Sequence, residues 1–245
     1  MGNPMMDGLE WNTKEAVKEN STLNSLPPIP PFPHSPAAPL TITLLPGSRP
    51  PEAYANWETI LLAVNGLLAQ IKRPLMLLAA IAPGLDLDEM HQTIKGFRWQ
   101  QVAEDCYTVG LGERQATLIL AQNRYAEFLH RADLAIAMAG TATEQFIGLG
   151  KPAIIIPGKG PQFTPAFAEA QTRLLGPSVT LILKPEQTAD AICSLLQNPD
   201  RLQIIAENGR RRMGKPGAAQ RIAQCLMEAS VVCQNSMSSA PTCSG

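Results

Sequence analysis

Residues 133–158 read DLAIAMAGTATEQFIGLGKPAIIIPG, and the order of apolar, small and polar positions in this stretch sets the architecture. An apolar run over 133–138 meets the small turn Ala139-Gly140-Thr141, passes into a helix-spaced segment over 141–149, and returns as a second apolar run over 153–157. Gly150 falls where a left-handed residue commonly ends a helix. Strands that are apolar throughout, with no polar alternation, are buried on both faces. That requires a parallel sheet covered by helices on each side. The same stretch raises a question of chemistry. Two hydroxyls, on Thr141 and Thr143, and one carboxylate, on Glu144, stand at the mouth of an otherwise apolar unit.

The pattern repeats on both sides of this unit. Apolar runs over 40–45, 74–81, 107–109, 117–121 and 179–183 read as further strands. Trp57, Ile60, Leu61, Val64, Leu67 and Leu68 recur at helical spacing and predict a helix over 54–71. Further helices are expected over 87–94, 123–131, 165–175, 185–197, 199–213 and 218–229. The fold expected is a doubly wound, Rossmann-like parallel α/β domain over 40–229. Residues 1–39 form a polar start and a proline-rich linker, expected to be disordered and extended. Seven prolines between positions 27 and 39 remove hydrogen-bond donors and fix φ. Residues 230–245, rich in Ser, Cys and small side chains, are expected to be a disordered tail.

Composition narrows the function. At 245 residues the chain can bury a substantial core, and a net charge of −1 lacks the basic footprint of a nucleic-acid partner. Five cysteines, odd in number and never spaced C-x-x-C, argue for reduced thiols in a cytoplasmic setting and against a zinc site. No stretch approaches the roughly 18 apolar residues of a membrane span. His34, His91 and His130 are scattered, and no Ser-His-Asp order, HExxH or P-loop is present. No metal site and no catalytic residue is therefore assigned. The basic run ENGRRRMGKPG (207–217) reads as a solvated helix end, with contact to an anionic lipid surface as the alternative.

Ligands of an open parallel sheet bind outside the carboxyl ends of its strands, where three loops carry chemistry. In LLPGSRPPE, Gly47 lets the backbone approach a ligand, Ser48 offers a hydroxyl, and Arg49 offers a fork of donors suited to phosphate. A surface turn with a solvated arginine is the plain alternative. At Gly140-Thr141 a strand hands over to a helix whose first N–H groups are unpaired and attract anions. Capping by Thr141 or Thr143 is the alternative there. Glu144 either favours the helix dipole or accepts both hydroxyls of a ribose, and both roles stay open. In GKGPQFTPAFAEAQ, Gln162 forms a polar wall or belongs to an ordinary glycine-rich loop.

Together, LLPGSR followed by a helix and ADLAIAMAGTATEQFIGLGKPAIII resemble the C-terminal half of lipid-A-disaccharide synthase, a glycosyltransferase of the two-domain GT-B fold. The likeness is greatest to the synthase-related branch known mainly from cyanobacteria, and it covers most of 40–229. GNPMMDGL (2–9) resembles the junction between the two halves. The resemblance implies that Gly140 and Thr141 lie against the donor's phosphates and that Glu144 holds its ribose. It implies that Gly47, Ser48 and Arg49 face the diphosphate, and that Leu120, Ala121 and Gln122 lie near the base through backbone groups. Gln162 is a looser correspondence, because its loop departs from the family's. The donor implied is a UDP-sugar, bound as substrate with no cofactor, and the acceptor a lipid or carbohydrate in chemistry like lipid A biosynthesis. The setting implied is cytoplasmic, with peripheral membrane contact. Acceptor site and base belong to an N-terminal half that this chain is expected to lack, so it is expected to be inactive alone. Two alternatives stand beside this reading. One is a non-catalytic nucleotide-binding subunit that pairs with a separate N-terminal domain. The other is a UDP-sugar epimerase-like protein, against which the absence of histidine in the donor loops counts.

Overall fold

A computed structural model describes residues 3–9, 38–110 and 115–238. The proline-rich stretch, up to position 37, lies outside the described residues. Eight strands form one sheet: β1 (Leu40–Leu45), β2 (Leu75–Ala80), β3 (Gln100–Ala103), β4 (Cys106–Val109), β5 (Ala116–Ala121), β6 (Leu134–Ala137), β7 (Ala153–Ile155) and β8 (Val179–Leu181). The helices are α1 (Glu52–Gln70), α2 (Leu87–Lys95), α3 (Tyr125–Arg131), α4 (Thr141–Gly148), α5 (Pro165–Leu175), α6 (Thr188–Leu196), α7 (Pro199–Met213) and α8 (Ala218–Ser238).

The sheet order is β3-β4-β5-β2-β1-β6-β7-β8. Its six parallel strands, β5-β2-β1-β6-β7-β8, follow the strand order of doubly wound nucleotide-binding folds. The chain builds outward from β1 in one direction, then returns to build outward from β6 in the other. The reversal opens a crevice above β1 and β6 at the carboxyl edge. Every residue of β1, β2, β6 and β7 is buried, which is why β2, β6 and β7 read as unbroken apolar runs and β1 as one interrupted only by Thr41 and Thr43. Each Leu or Ile buried there contributes about 1.5–3 kcal/mol relative to exposure. Trp57 on α1 is fully buried and donates from its indole N–H to the Met90 carbonyl at 3.2 Å, joining α1 to α2.

The expectation of a parallel sheet needs correction at one edge. β4 runs antiparallel to both β3 and β5. Only Glu104 and Asp105 separate β3 from β4, and six residues (110–115) separate β4 from β5. A parallel crossover needs a dozen or more residues, so neither connection can make one. All four residues of β3 are exposed, which leaves no apolar run to announce the strand. At the other end, α8 continues to Ser238, past the expected disorder boundary at Ala229. Between 218 and 238 there is no Gly or Pro to stop a helix.

Residues 3–9 pack against the body. Met6 and Leu9 are buried, and the Asp7 carboxylate accepts from the backbone N–H groups of Gly217, Ala218 (3.1 Å) and Ala219 (2.8 Å), capping α8. These bonds hold its carboxyl below the usual range. α7 lies directly on α4: a Cβ at Gly209 would overlap the Ile147 carbonyl oxygen and lie 3.1 Å from its carbon. That close approach, with the burial of Thr143, Phe146 and Ile147, fixes which face of α4 turns inward. Arg210, Arg211 and Arg212 form the last turn of α7, and Arg212 donates to the Leu174 carbonyl at 2.5 Å, as a helix end requires.

Candidate functional site

A cleft of about 820 Å3 occupies the carboxyl edge, over the crevice between β1 and β6. Its floor and walls come from the loops after β1, β2, β5, β6 and β7. Arg49 and Glu52 are the charged side chains among its described lining residues.

The loop after β1 carries Pro46, Gly47, Ser48 and Arg49 into the cleft. Gly47 has φ +100°, which L side chains rarely adopt, and a Cβ there would lie 3.4 Å from the Met138 carbonyl oxygen. The chain thus passes close against the end of β6, and Ser48 and Arg49 project exposed beyond it. Asn56, buried on α1, donates from Nδ2 to the Pro46 carbonyl at 3.0 Å and to the Met138 carbonyl at 3.4 Å. One amide therefore ties together the two loops that flank the crevice.

The loop after β6 delivers Ala139 and Gly140 to the start of α4. Among the described residues no side chain caps this helix. The Gly140 carbonyl accepts from Thr143 N at 3.1 Å and Glu144 N at 3.2 Å, and from Gln171 Nε2 at 3.2 Å. Thr143 is buried and donates its hydroxyl back to the Ala139 carbonyl at 2.5 Å, so it neither caps the helix nor meets a ligand. Thr141 is exposed and lines the cleft. An uncapped N-terminus keeps its N–H dipoles aimed at the cleft, where they favour an anion.

The structure divides the ten residues singled out from the sequence. Gly47, Ser48, Arg49, Gln122, Gly140, Thr141 and Gln162 line the cleft. Leu120, Ala121 and Glu144 do not. Leu120 is buried and its N–H donates to the Asp105 carbonyl, while the Ala121 carbonyl accepts from Ile81 N at 3.0 Å. These two backbone groups are thus engaged away from the cleft. On α4, Gln145 lines the cleft where Glu144 was expected. Each residue of a helix turns the side chain by about 100°, so Gln145, one turn beyond Thr141, shares its face. Gln145 accepts from the Tyr125 hydroxyl at 2.6 Å and donates to the Met5 carbonyl at 2.6 Å. Glu144 lies half-buried off this face, and burial raises its carboxyl above the usual range.

Glu52 and Asn56 were missed. The available signal was two polar residues one turn apart on the face of α1 that is otherwise apolar. Glu52 is 8% exposed and latches the third wall. Its Oε2 accepts from Gln162 N at 3.0 Å and its Oε1 from Phe163 N at 2.8 Å. A Cβ on Gly160 would stand 2.6 Å from Glu52 Cγ and 2.7 Å from Oε2, so a larger residue there would displace Glu52 or the loop. The Phe163 and Phe167 rings, 5.6 Å apart between centroids, complete this wall. Gln122 braces the opposite side, donating to the carbonyls of Leu85 (2.7 Å) and Ala82 (3.3 Å). His91 and His130 lie elsewhere, bonded to Tyr107 and to the Leu9 carbonyl. Among the described residues no group of three or more His, Cys, Asp or Glu is placed to hold a metal ion, and no helix is long and apolar enough to cross a membrane.

No protein-family model matches the chain, and no curated protein is significantly similar to it in sequence. Solved structures match it in fold. UDP-GlcNAc 2-epimerase from Neisseria meningitidis, bound to UDP-GlcNAc, is 14% identical with a TM-score of 0.57, over 93% of this chain and 54% of that one. The S. aureus MnaA–UDP structure is 16% identical with a TM-score of 0.50, over 84% of this chain and 48% of that one. The spinosyn rhamnosyltransferase SpnG is 14% identical with a TM-score of 0.52, over 80% and 47%. The fold is a Rossmann-like domain of the GT-B type, and this chain spans about half the length of these structures.

Proposed function

We propose that the cleft binds a UDP-sugar, and that the chain is the donor-binding half of a glycosyltransferase related to lipid-A-disaccharide synthase. One observation carries the reading. Two groups suited to a diphosphate, the uncapped N-terminus of α4 and the Ser48-Arg49 pair, converge over the crevice between β1 and β6 and are tied to each other through Asn56. The sequences around them are those in which the family resemblance lies, and the fold agrees with it.

The chemistry follows from these groups. Departure of a nucleoside diphosphate from a sugar builds negative charge on the leaving oxygen. Helix N–H dipoles and a guanidinium already aimed at that position stabilise the charge without reorganising. Ser48 and Thr141 donate to phosphate oxygens, Gln122 and Tyr125 border the nucleoside, and Gln145 takes the ribose-facing position on α4. Inversion at the anomeric carbon needs a base on the opposite face, supplied with the acceptor site by a second domain.

Calorimetry with UDP, UDP-GlcNAc, GDP, ADP and TDP tests the proposal. UDP and UDP-GlcNAc are expected to bind, and the others more weakly. Arg49→Ala is expected to weaken UDP by about ten- to a hundredfold, the loss of a charge-assisted hydrogen bond, and to leave uridine nearly unaffected. Absence of binding by every nucleotide would overturn the proposal.

A further inference from the structure

The sheet order divides the cleft into two chemically unequal arms. Its anion-suited groups sit in the middle, over β1 and β6. The arm over β2 and β5 is walled by residues 80–83, Gln122 and Tyr125, none of them charged. The arm over β7 is walled by Gln162, Phe163 and Phe167, with the carboxylate of Glu52 at its base.

Among the described residues Glu52, at 8% exposure, has no cationic partner, and the two hydrogen bonds it accepts come from neutral amides. Each oxygen takes one N–H and keeps acceptor capacity to spare. Amide donors stabilise a carboxylate but do not cancel its charge. The loop passes close over that side chain, and a Cβ at position 160 would make Glu52 move. A ligand in this arm therefore meets a negative charge that the N-terminal dipole of α1 offsets only in part, in a partly desolvated place where electrostatic interactions are stronger than in water.

We infer that Glu52 restricts the β7 arm to an uncharged sugar, one that offers hydroxyl or amide N–H donors, and rejects a sugar bearing a carboxylate. The inference rests on the reading of the cleft as a nucleotide-sugar site. With the diphosphate held in the middle and the nucleoside over β2 and β5, the sugar extends toward β7. Hydroxyls there find an acceptor. A uronic acid places a second carboxylate beside the first, and like charges a few ångströms apart at an effective dielectric near 20 weaken binding by about tenfold or more.

UDP-glucose and UDP-glucuronate differ only at the sugar's sixth carbon and make the test. Calorimetry on the wild-type chain should find UDP-glucuronate bound about tenfold or more weakly than UDP-glucose. In Glu52→Gln the gap should narrow. Equal affinities in the wild type, or tighter binding of the uronate, overturn the inference while leaving UDP binding intact. A gap that persists in folded Glu52→Gln overturns the assignment to Glu52, and the wild-type comparison decides the sugar class even if that variant does not fold. If UDP itself fails to bind, the nucleotide-sugar reading falls and this inference falls with it.

Discussion

Substituting Gly160 by alanine tests how the third wall of the cleft is held. The added Cβ would stand 2.6 Å from Glu52 Cγ and 2.7 Å from Oε2, where ordinary contacts begin near 3.4 Å. Something must move by most of an ångström. Either the carboxylate swings toward solvent or the loop lifts, and both routes break the bonds from Gln162 N (3.0 Å) and Phe163 N (2.8 Å). A hydrogen bond to a charged group contributes about 1.5–3 kcal/mol. Water replaces the bond at the exposed Gln162, but the N–H of buried Phe163 loses its partner outright. The expected net loss is thus close to one full bond, about 2–3 kcal/mol. For a domain of this size that lowers Tm by roughly 4–12 °C. Urea unfolding gives the free energy, and amide hydrogen exchange identifies the place, with Phe163 losing protection ahead of the sheet. Wild-type stability together with a protected Phe163 amide would refute the latch.

Two further predictions concern individual side chains. Gln145→Ala should weaken UDP by about two- to tenfold, the range of a neutral hydrogen bond, whereas Glu144→Gln should leave affinity unchanged by calorimetry. The reverse result would return the ribose contact to Glu144. Lys151 donates to the carbonyls of Leu129 (2.9 Å) and His130, and burial lowers its ammonium pKa to about 8, with Asp133 opposing the shift. Above that pH the folded lysine is neutral while the unfolded one still holds its proton. Unfolding then takes up a proton, so stability should rise with pH from about 8 toward the ordinary lysine range near 10.4. Urea unfolding across that window, compared with Lys151→Met, checks the sign. A wild-type profile that falls relative to the variant would contradict it.

The main lines of the fold were legible because burial on both faces leaves a local mark. β2, β6 and β7 are apolar at every position and β1 departs from that only at the buried Thr41 and Thr43, the pattern of a parallel sheet covered on both faces. The two central loops were legible for a related reason: Gly47 and Gly140 punctuate the change from strand to helix at the carboxyl edge, where this topology puts ligands. β3 was not, since an exposed edge strand carries no apolar run, although its partner β4 was expected at 107–109. Its antiparallel direction could still have been read from the short connections on either side.

What the sequence determined by itself was most of the elements, their parallel core and the loops that form the cleft. Each of these follows from period and punctuation within a few residues of chain. Which polar side chain faces the cleft was decided only in three dimensions. Glu144 and Gln145 are neighbours in sequence, and the choice between them depends on which face of α4 turns inward, fixed by Gly209 of α7 against the Ile147 carbonyl and by the burial of Thr143, Phe146 and Ile147. Glu52 meets the loop at 162–163, and Asp7 caps α8, across more than a hundred residues of intervening chain. No local periodicity records a contact of that kind, because it exists only once the helices have packed.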